Sequence, residues 1–489
     1  MKKTGIFFAV LFACVSPAAR PCSAQGLLTL DGYIAQVDAN NAEVKSADLS
    51  IDATGKKILE LDLTYSPYFS GSVNCVDDKS GVSFGSTLPV DTMEALSLDL
   101  GLVKKFATGS SVTFGYSDSA AKFDLMYPTS LLANTPAVSS FSGYEIKPFV
   151  KVEQSLLKDI GEGLTVSGIN KAKAAARAGQ YLQLFRKQQI QLGARRSYLA
   201  LSLAREVVEF RKSSLARAEE ILKWNEKKLS MDLADKSDLL QSQAAYKLRQ
   251  LNLQMAVEDE INACRDFNEL RNGTQDTVDE QLEKLPDLGK YYLNISTLTR
   301  SGRRADVLSA EELYSSAVFA EREAKYRSGP ELSAFGYASL HGLALDSSDA
   351  FGQVADAEKP TYTVGLNFSA PFDLSTIKKV NSGYALDVNS AEQALREAEL
   401  SESNDWNKLL KDWNNVKIRL NSAMEIRDIQ NERVAAEKEK FGRGRTTTFE
   451  LLAAQNDLDD SILSVYRLVL EEFLVFSQTE LYDTAPLKN

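Results

Sequence analysis

Chemistry needs proton carriers, nucleophiles or metal ligands, and this 489-residue sequence holds few of them. It has one histidine, His341, and four cysteines. Histidine is the usual proton shuttle and the commonest metal ligand. Gly81-Val82-Ser83-Phe84-Gly85 matches the G-x-S-x-G hydrolase elbow, but that motif needs a strand before it, a helix after it and a His–Asp partner. The string is expected in a loop between strands, and His341 reads as the end of a strand, so no nucleophile is assigned. Asp77-Asp78 with Ser80-Gly81 reads as a solvated acidic loop rather than a calcium site. Gly161-x-Gly163 and Gly442-x-Gly444 lack the third glycine and the preceding strand of a dinucleotide site. No catalytic residue, cofactor or metal is assigned, and the sequence points away from an enzyme. Fifty-six Lys+Arg against 67 Asp+Glu give a net charge of −11, the wrong sign for a nucleic-acid footprint.

The elements that would position any site follow from the punctuation. Residues 1–24 read as a secretory signal peptide: Lys2-Lys3, the apolar run Ile6 to Cys14, and small residues Cys22 and Ala24 before Gln25. A lipoprotein cut at Cys14 is the less favoured alternative. Removing Lys2, Lys3 and Arg20 takes the charge from −11 to −14. Cys75 and Cys264 then remain, too far apart in sequence and character to support a disulfide framework. No later stretch suits a transmembrane helix, so membrane entry would require a closed β-barrel.

All twelve prolines fall outside the windows 149–285 and 372–485. Proline removes a donor and clashes with the preceding turn, so both windows read as helical. Apolar residues recur there at coiled-coil spacing: Trp406, Leu409, Trp413, Val416, Leu420 and Ala423; Leu192, Leu199, Leu203, Val207, Leu215, Ala218, Leu222 and Leu229; and Leu458, Ile462, Val465, Val469 and Phe476. The regions 64–148 and 330–371 alternate instead. Phe69, Gly71, Val73 and Cys75 oppose Ser70, Ser72 and Asn74; Leu96, Leu98, Leu100 and Leu102 oppose Ser97, Asp99 and Gly101. Further strands are predicted around Val112–Tyr116, Ile146–Val152, Leu332–Leu340 and Tyr362–Phe368. Such a pattern suits a barrel with lipid outside, and equally a soluble sheet with one wet face.

The pattern is written twice. Asn40–Ala47 aligns with Arg303–Ala310 at an offset of 263, and Pro67 with Pro330. Val150–Glu153 aligns with Val364–Asn367 at 214, and Asp238–Gln243 with Glu450–Gln455 at 212. The order is therefore signal peptide 1–24, helix 25–63, β segment 64–155 with an extra hairpin near 94–118, helical hairpin 156–285, linker and helix 286–329, β segment 330–372, and a second helical hairpin 373–485.

This arrangement resembles the TolC-like outer-membrane efflux and secretion channel family. The resemblance rests on Leu28-Thr29-Leu30-Asp31, Asn40–Val44, Thr108-Gly109, Gln154–Leu157, Ser369–Phe372 and the two helix-hairpin turns, Lys227–Gln243 and Phe441–Gln455. It implies an α+β membrane protein of two structural repeats, in which three copies share a twelve-stranded β-barrel and the long coiled-coil helices form a periplasmic α-barrel. It also implies a passive exit duct of a tripartite efflux pump or type I secretion system. The partners would be two further copies, a periplasmic adaptor, an inner-membrane pump and outer-membrane lipid. The alternative is a structural coiled-coil envelope protein without a pore. The extra hairpin departs from the family pattern; it would widen the barrel or, the preferred reading, fold over its outer mouth as a flap.

By the same resemblance, Asp238 and Glu450 would form an acidic ring at a periplasmic gate, attracting cations. The bland alternative is that each carboxylate simply favours the start of its helix. Adaptor contacts would fall on Met231, Asp232, Leu233, Asp235, Gly442, Arg443, Gly444, Arg445 and Thr446. Gly442 and Gly444 would supply unusual backbone angles. Phe441 flanks the turn where relatives often carry tyrosine, and it cannot donate a hydroxyl hydrogen bond.

Overall fold

A computed structural model of the chain describes residues 27–84, 88–129, 137–232, 235–284, 298–357 and 359–484. The proposed signal peptide lies outside them. The chain divides into two compact units, which draw alternately on its length.

The first unit draws on Met1–Ala42, Gln191–Leu298 and Asp412–Ser477. A two-residue strand β1 (Leu27–Leu28) leads into α1 (Leu30–Asn40), whose N-terminus is capped by Thr29 accepting from the Gly32 amide at 3.1 Å. This unit also holds the later part of α3 (Leu164–Ser230), all of α4 (Lys236–Leu270), a second short strand at Gln281–Leu282 paired parallel to β1, the later part of the 69-residue helix Leu374–Gly442, and the helix Thr448–Ser477. Near α1 the core is aromatic. Tyr33 stacks on Phe267 with centroids 3.9 Å apart and donates to the Phe267 carbonyl at 2.8 Å, so burial of its ring leaves no orphan hydroxyl. Tyr198 donates to the Leu28 carbonyl at 2.6 Å, and burial pushes its phenol up to about 12.

The second unit draws on Glu43–Ile190, Thr299–Lys411 and Gln478–Asn489. Helix α2 (Ala42–Ile58) leads through a 3-10 turn to β2 (Tyr68–Asp78). Strands β3 (Val82–Phe84), β4 (Leu88–Lys105), β5 (Ser110–Thr129) and β6 (Val138–Ser155) follow, then α3. After β7, the Gln281–Leu282 strand of the first unit, come α5 (Ala305–Arg327), β8 (Glu331–Leu340), β9 (Gly342–Ala344), α6 (Ser347–Ala355), β10 (Pro360–Ser369), α7 (Leu374–Gly442) and α8 (Thr448–Ser477). Three element starts keep the offsets read from sequence, α5 263 residues after α2, β8 263 after β2 and α8 212 after α4, whereas β10 begins 222 after β6 rather than 214.

The large sheet has the order β10-β8-β6-β5-β4-β2, all antiparallel, with β3 added to β4 and β9 to β6. The extra hairpin is thus a pair of full strands, Leu88–Lys105 and Ser110–Thr129, longer than the predicted 94–118 and lying in line between β2 and β6. The predicted bounds 94–118 are thus too short. β4 pairs with β2 along Tyr68–Asp78 and β5 with β6 from Ser110 to Asp124, so the outer backbone groups of the hairpin are bonded to the sheet, where those of a free-standing flap would be left to water. A second correction concerns the hydrolase-like string, whose Val82–Phe84 stretch is strand β3 rather than loop. It pairs with β4. His341 does end a strand, following β8 directly.

Helical seams were read well on α7 and poorly on α3. Leu409, Trp413, Val416, Leu420 and Ala423 are buried as predicted, with Trp406 half-buried against Tyr482. On α3 Leu199 and Ala218 are buried as predicted, but the buried stripe otherwise runs Ala194, Tyr198, Leu201, Val208, Ser214, Ile221 and Asn225. Leu203, Val207, Leu215, Leu222 and Leu229 only flank it. Small and polar residues occupy buried positions there, so hydrophobicity alone pointed a few residues aside.

Candidate functional site

Two regions carry features that a packed interior does not explain: the apolar face of the large sheet, and the turns joining the helix pairs.

On the sheet, register places residues of like character on one face. Phe69, Leu102, Phe114, Val150, Ala338 and Tyr362 form one row across all six main strands, and Val73, Leu98 and Ile146 lie on the same face further along. The opposite face carries Ser70, Ser72, Asp99, Ser117, Lys147, Lys151, Glu153, Thr361 and Thr363. Its charges are mutually satisfied: Lys151 meets Glu153 at 2.9 Å, and Ser117 donates to Asp99 at 2.7 Å. Most of the apolar face is left bare instead, Ile146 being buried at 4% exposure. Val364 is 88% exposed, Tyr362 79%, Phe69 69% and Phe368 68%. A monomer in water rarely leaves so large a contiguous apolar patch uncovered. Strands β2, β8 and β10 have 11, 10 and 10 residues, the ~9–11 that cross a bilayer when tilted. Along β4 and β5 the apolar band is interrupted at Glu94 and Asp118, and the remainder of these longer strands mixes polar residues with apolar ones such as Val90, Phe123 and Leu125. No helix among the described residues is long and apolar enough to cross a membrane.

The turns lie in the first unit. Helices α3 and α4 are joined through residues 231–235, and α7 and α8 through 443–447, five residues each. Asp232 (φ 56°) and Gly444 (φ 69°) hold the left-handed conformation that reverses each chain. Gly444 meets the expectation because it carries no Cβ penalty there. Gly442 does not, being the last residue of α7 without a positive φ. Leu233 lies outside the described residues. Met231, Asp232 and Asp235 are exposed, as are Arg443 and Arg445; Thr446 is half-buried. The Arg443 guanidinium pairs with Glu439 one turn back, and the Arg445 amide donates to the Lys440 carbonyl at 2.9 Å.

Asp238 and Glu450 stand in the first turns of α4 and α8, half-buried and exposed respectively. The Glu450 amide donates to the Thr447 hydroxyl at 3.3 Å. What brings the two helix starts together is Asn225 of α3, 1% exposed. Its amide approaches the Asp238 carbonyl at 3.5 Å and the Thr448 hydroxyl at 3.2 Å. Around it, Ile221, Phe441, Leu451 and Leu452 form one buried cluster, with the Lys228 ammonium 5.0 Å from the Phe441 ring centroid. Phe441 is therefore a core anchor of the paired turns.

Further along the same helices lies a polar knot. Arg249 donates to Ser214 at 3.1 Å and to Asn456 at 3.0 Å, Ser214 donates to Asp459, and Arg217 meets Asp459 at 2.8 Å. Sequence reasoning missed Asn225, Thr448 and this knot. A faint signal existed: Ser214 and Asn225 continue the 4, 3, 4 spacing through Ala218 and Ile221.

No family model and no curated protein matches the chain by sequence. Solved structures do match it. The chain is similar to the outer-membrane channel OprN, at 15% identity, with 93% of this chain and 89% of that one covered and a TM-score of 0.62. It is similar to the open-state MtrE outer membrane channel of Neisseria gonorrhoeae, at 13% identity, 93% and 89% coverage and a TM-score of 0.61. The CmeC outer membrane channel of Campylobacter jejuni gives 14% identity, 93% and 85% coverage and a TM-score of 0.57. With a sheet bare on its apolar face and paired helical hairpins, the chain has the fold of the TolC-like outer-membrane channels.

Proposed function

We propose that the chain is an outer-membrane channel that acts as the exit duct of an export system. Three copies close one β-barrel in lipid, and the long helical hairpins build the periplasmic conduit. The carrying observation is the apolar sheet face, uncovered on strand after strand, while the opposite face carries most of the polar and charged side chains, with Phe149, Phe335 and Tyr337 among them; lipid outside and water inside satisfy both. Fold likeness to outer-membrane channels supports the same reading. Exposed Leu240, Leu248, Leu251 and Met255 on α4, with Ile418, Ile426 and Ile429 on α7, supply apolar stripes for neighbouring copies. Step currents from the purified protein in a planar bilayer test the channel. Their absence, together with the absence of a heat-modifiable trimer, would favour a structural coiled-coil envelope protein instead.

At the turns, Asp238 and Glu450 form the cation-attracting gate, repeated by threefold symmetry. Asn225, which holds both helix starts, supports that pairing. The exposed tip residues Met231, Asp232, Asp235, Arg443, Gly444 and Arg445, with Leu233, Gly442 and Thr446, form the surface for a periplasmic adaptor coupled to an inner-membrane pump. In a bilayer, Asp238→Ala combined with Glu450→Ala lowers cation over anion preference; unchanged selectivity removes the gate while leaving the channel standing.

A further inference from the structure

We propose that each chain gives six strands to the barrel wall, so that the trimeric channel is walled by eighteen strands. The inference rests on the exit-duct reading and deepens it. Four strands per chain would be the count if β4 and β5 lay outside the wall, and three observations place them inside it.

First, β4 pairs with β2 along eleven residue pairs, Tyr68–Asp78 against Met93–Val103, and β5 pairs with β6 from Ser110 to Asp124 without a break. Among the described residues β2 and β6 do not pair directly. Second, both faces of the hairpin obey the pattern of the wall. Leu98, Leu100, Leu102, Val112, Phe114 and Tyr116 continue the apolar face; Ser97, Asp99, Thr113 and Ser117 continue the polar one. A flap over a mouth has no reason to keep that alternation in register with four other strands. Third, the hairpin is anchored at its turn. The Ser155 amide donates to the Gly109 carbonyl at 2.9 Å, the Gln154 side chain to the Thr108 carbonyl at 2.9 Å, and Lys104 to the Tyr65 carbonyl. Gly115 leaves room for the Phe149 ring that lies across it. A Cβ there would lie 2.1 Å from the Phe149 ring of β6, as one on Gly365 would lie 2.6 Å from the Phe335 ring of β8.

The two outer strands of the set, β2 and β10, are exposed along almost their whole length. Unpaired edges template further pairing. Within an alternating six-strand sheet β2 and β10 run in opposite directions, so β2 of one copy can pair antiparallel with β10 of the next. Three such junctions close the wall with no edge left. Barrel diameter grows roughly linearly with strand number, so eighteen strands give about one and a half times the width of twelve, the range in which barrels hold an open aqueous channel.

Two experiments decide it. The purified full chain in lipid nanodiscs, viewed down the barrel axis by electron cryomicroscopy, should show eighteen wall strands. A trimer with twelve wall strands would overturn this inference and leave the exit-duct reading intact; no closed wall at all would sink both. Independently, single cysteines at Val364 or Leu366 should oxidise onto the native Cys75 of the adjacent copy, giving covalent dimers and trimers on denaturing gels. Cross-linking to cysteines placed on β6 of the adjacent copy instead would overturn the proposed closing edges.

Discussion

Val364 and Phe368 on β10 lie almost bare, whereas Trp413 and Asn225 on the helices are sealed to 1% exposure. The sheet leaves its apolar side chains for something outside the chain to cover. Behind the paired turns Ile221, Phe441, Leu451 and Leu452 are buried beside hydrogen-bonded polar groups, while Met231 at the tip stays exposed. Exposure is informative in the first region and satisfaction in the second: one surface calls for a different solvent, the other fixes a geometry.

The contrast can be broken at several points, in descending size of effect. Asp459→Ala removes the acceptor of Ser214 and the partner of Arg217 beside buried Arg249. It should cost ~3–5 kcal/mol, the range for breaking a buried charge pair, measured as the urea midpoint of helical circular dichroism. A loss below ~1 kcal/mol would show that water rescues the knot and that it is not sealed.

The sheet is tested by neighbours in sequence. Val364→Lys should lower the folded, lipid-inserted fraction by ~2–4 kcal/mol, whereas Thr363→Lys on the opposite face should be nearly neutral. Heat-modifiable mobility after insertion into vesicles reads both. Equal tolerance of the two lysines would erase the distinction between the faces.

Asn225→Ala leaves Thr448 and the Asp238 carbonyl without their shared partner. A cost of ~1–3 kcal/mol is expected, with faster amide exchange in the first turns of α4 and α8. Unchanged exchange there would mean that the apolar cluster alone holds the turns.

Glu472 gives the smallest effect and a sign. Its carboxyl is buried at 2% exposure, Oε1 has no partner among the described residues, and burial pushes its titration above the ordinary glutamate value, with Lys417 opposing. A raised folded-state value means that its stability contribution is present below the ordinary glutamate range and is lost as pH rises through the raised value. Glu472→Gln should therefore stabilise by about 1 kcal/mol at pH 7 and by nothing near pH 4. Thermal melts across that range check it; equal gain at both ends would locate the effect in packing.

Most strands were legible because alternation with period two is strict wherever one face is apolar; Leu96–Leu102 and Tyr362–Phe368 show it plainly. The α7 seam was legible for the same kind of reason, with Trp413 and Leu420 marking it. The α3 seam was legible only at Leu199 and Ala218, because Ser214 and Asn225 occupy its core and small Ala194 carries little hydrophobic signal. At the turns, Asp238 and Glu450 could be picked out from the internal alignment, but the residue joining their helices could not. Asn225 lies 13 residues from Asp238 and 223 from Thr448, and nothing local marks so distant a partnership.

Sequence by itself determined the order of helical and strand segments and which residues of each strand share a face. These are local or periodic properties, set by proline exclusion and by side-chain alternation. Only the tertiary structure decided that β4 and β5 stand in line between β2 and β6, that Gly442 is helical while Asp232 takes the left-handed turn, and that one asparagine ties two helix starts. Strand neighbours and hydrogen-bond partners depend on which distant segments meet. That choice is made by complementary edges and buried polar groups after the local elements exist, and so has no short-range imprint in the chain.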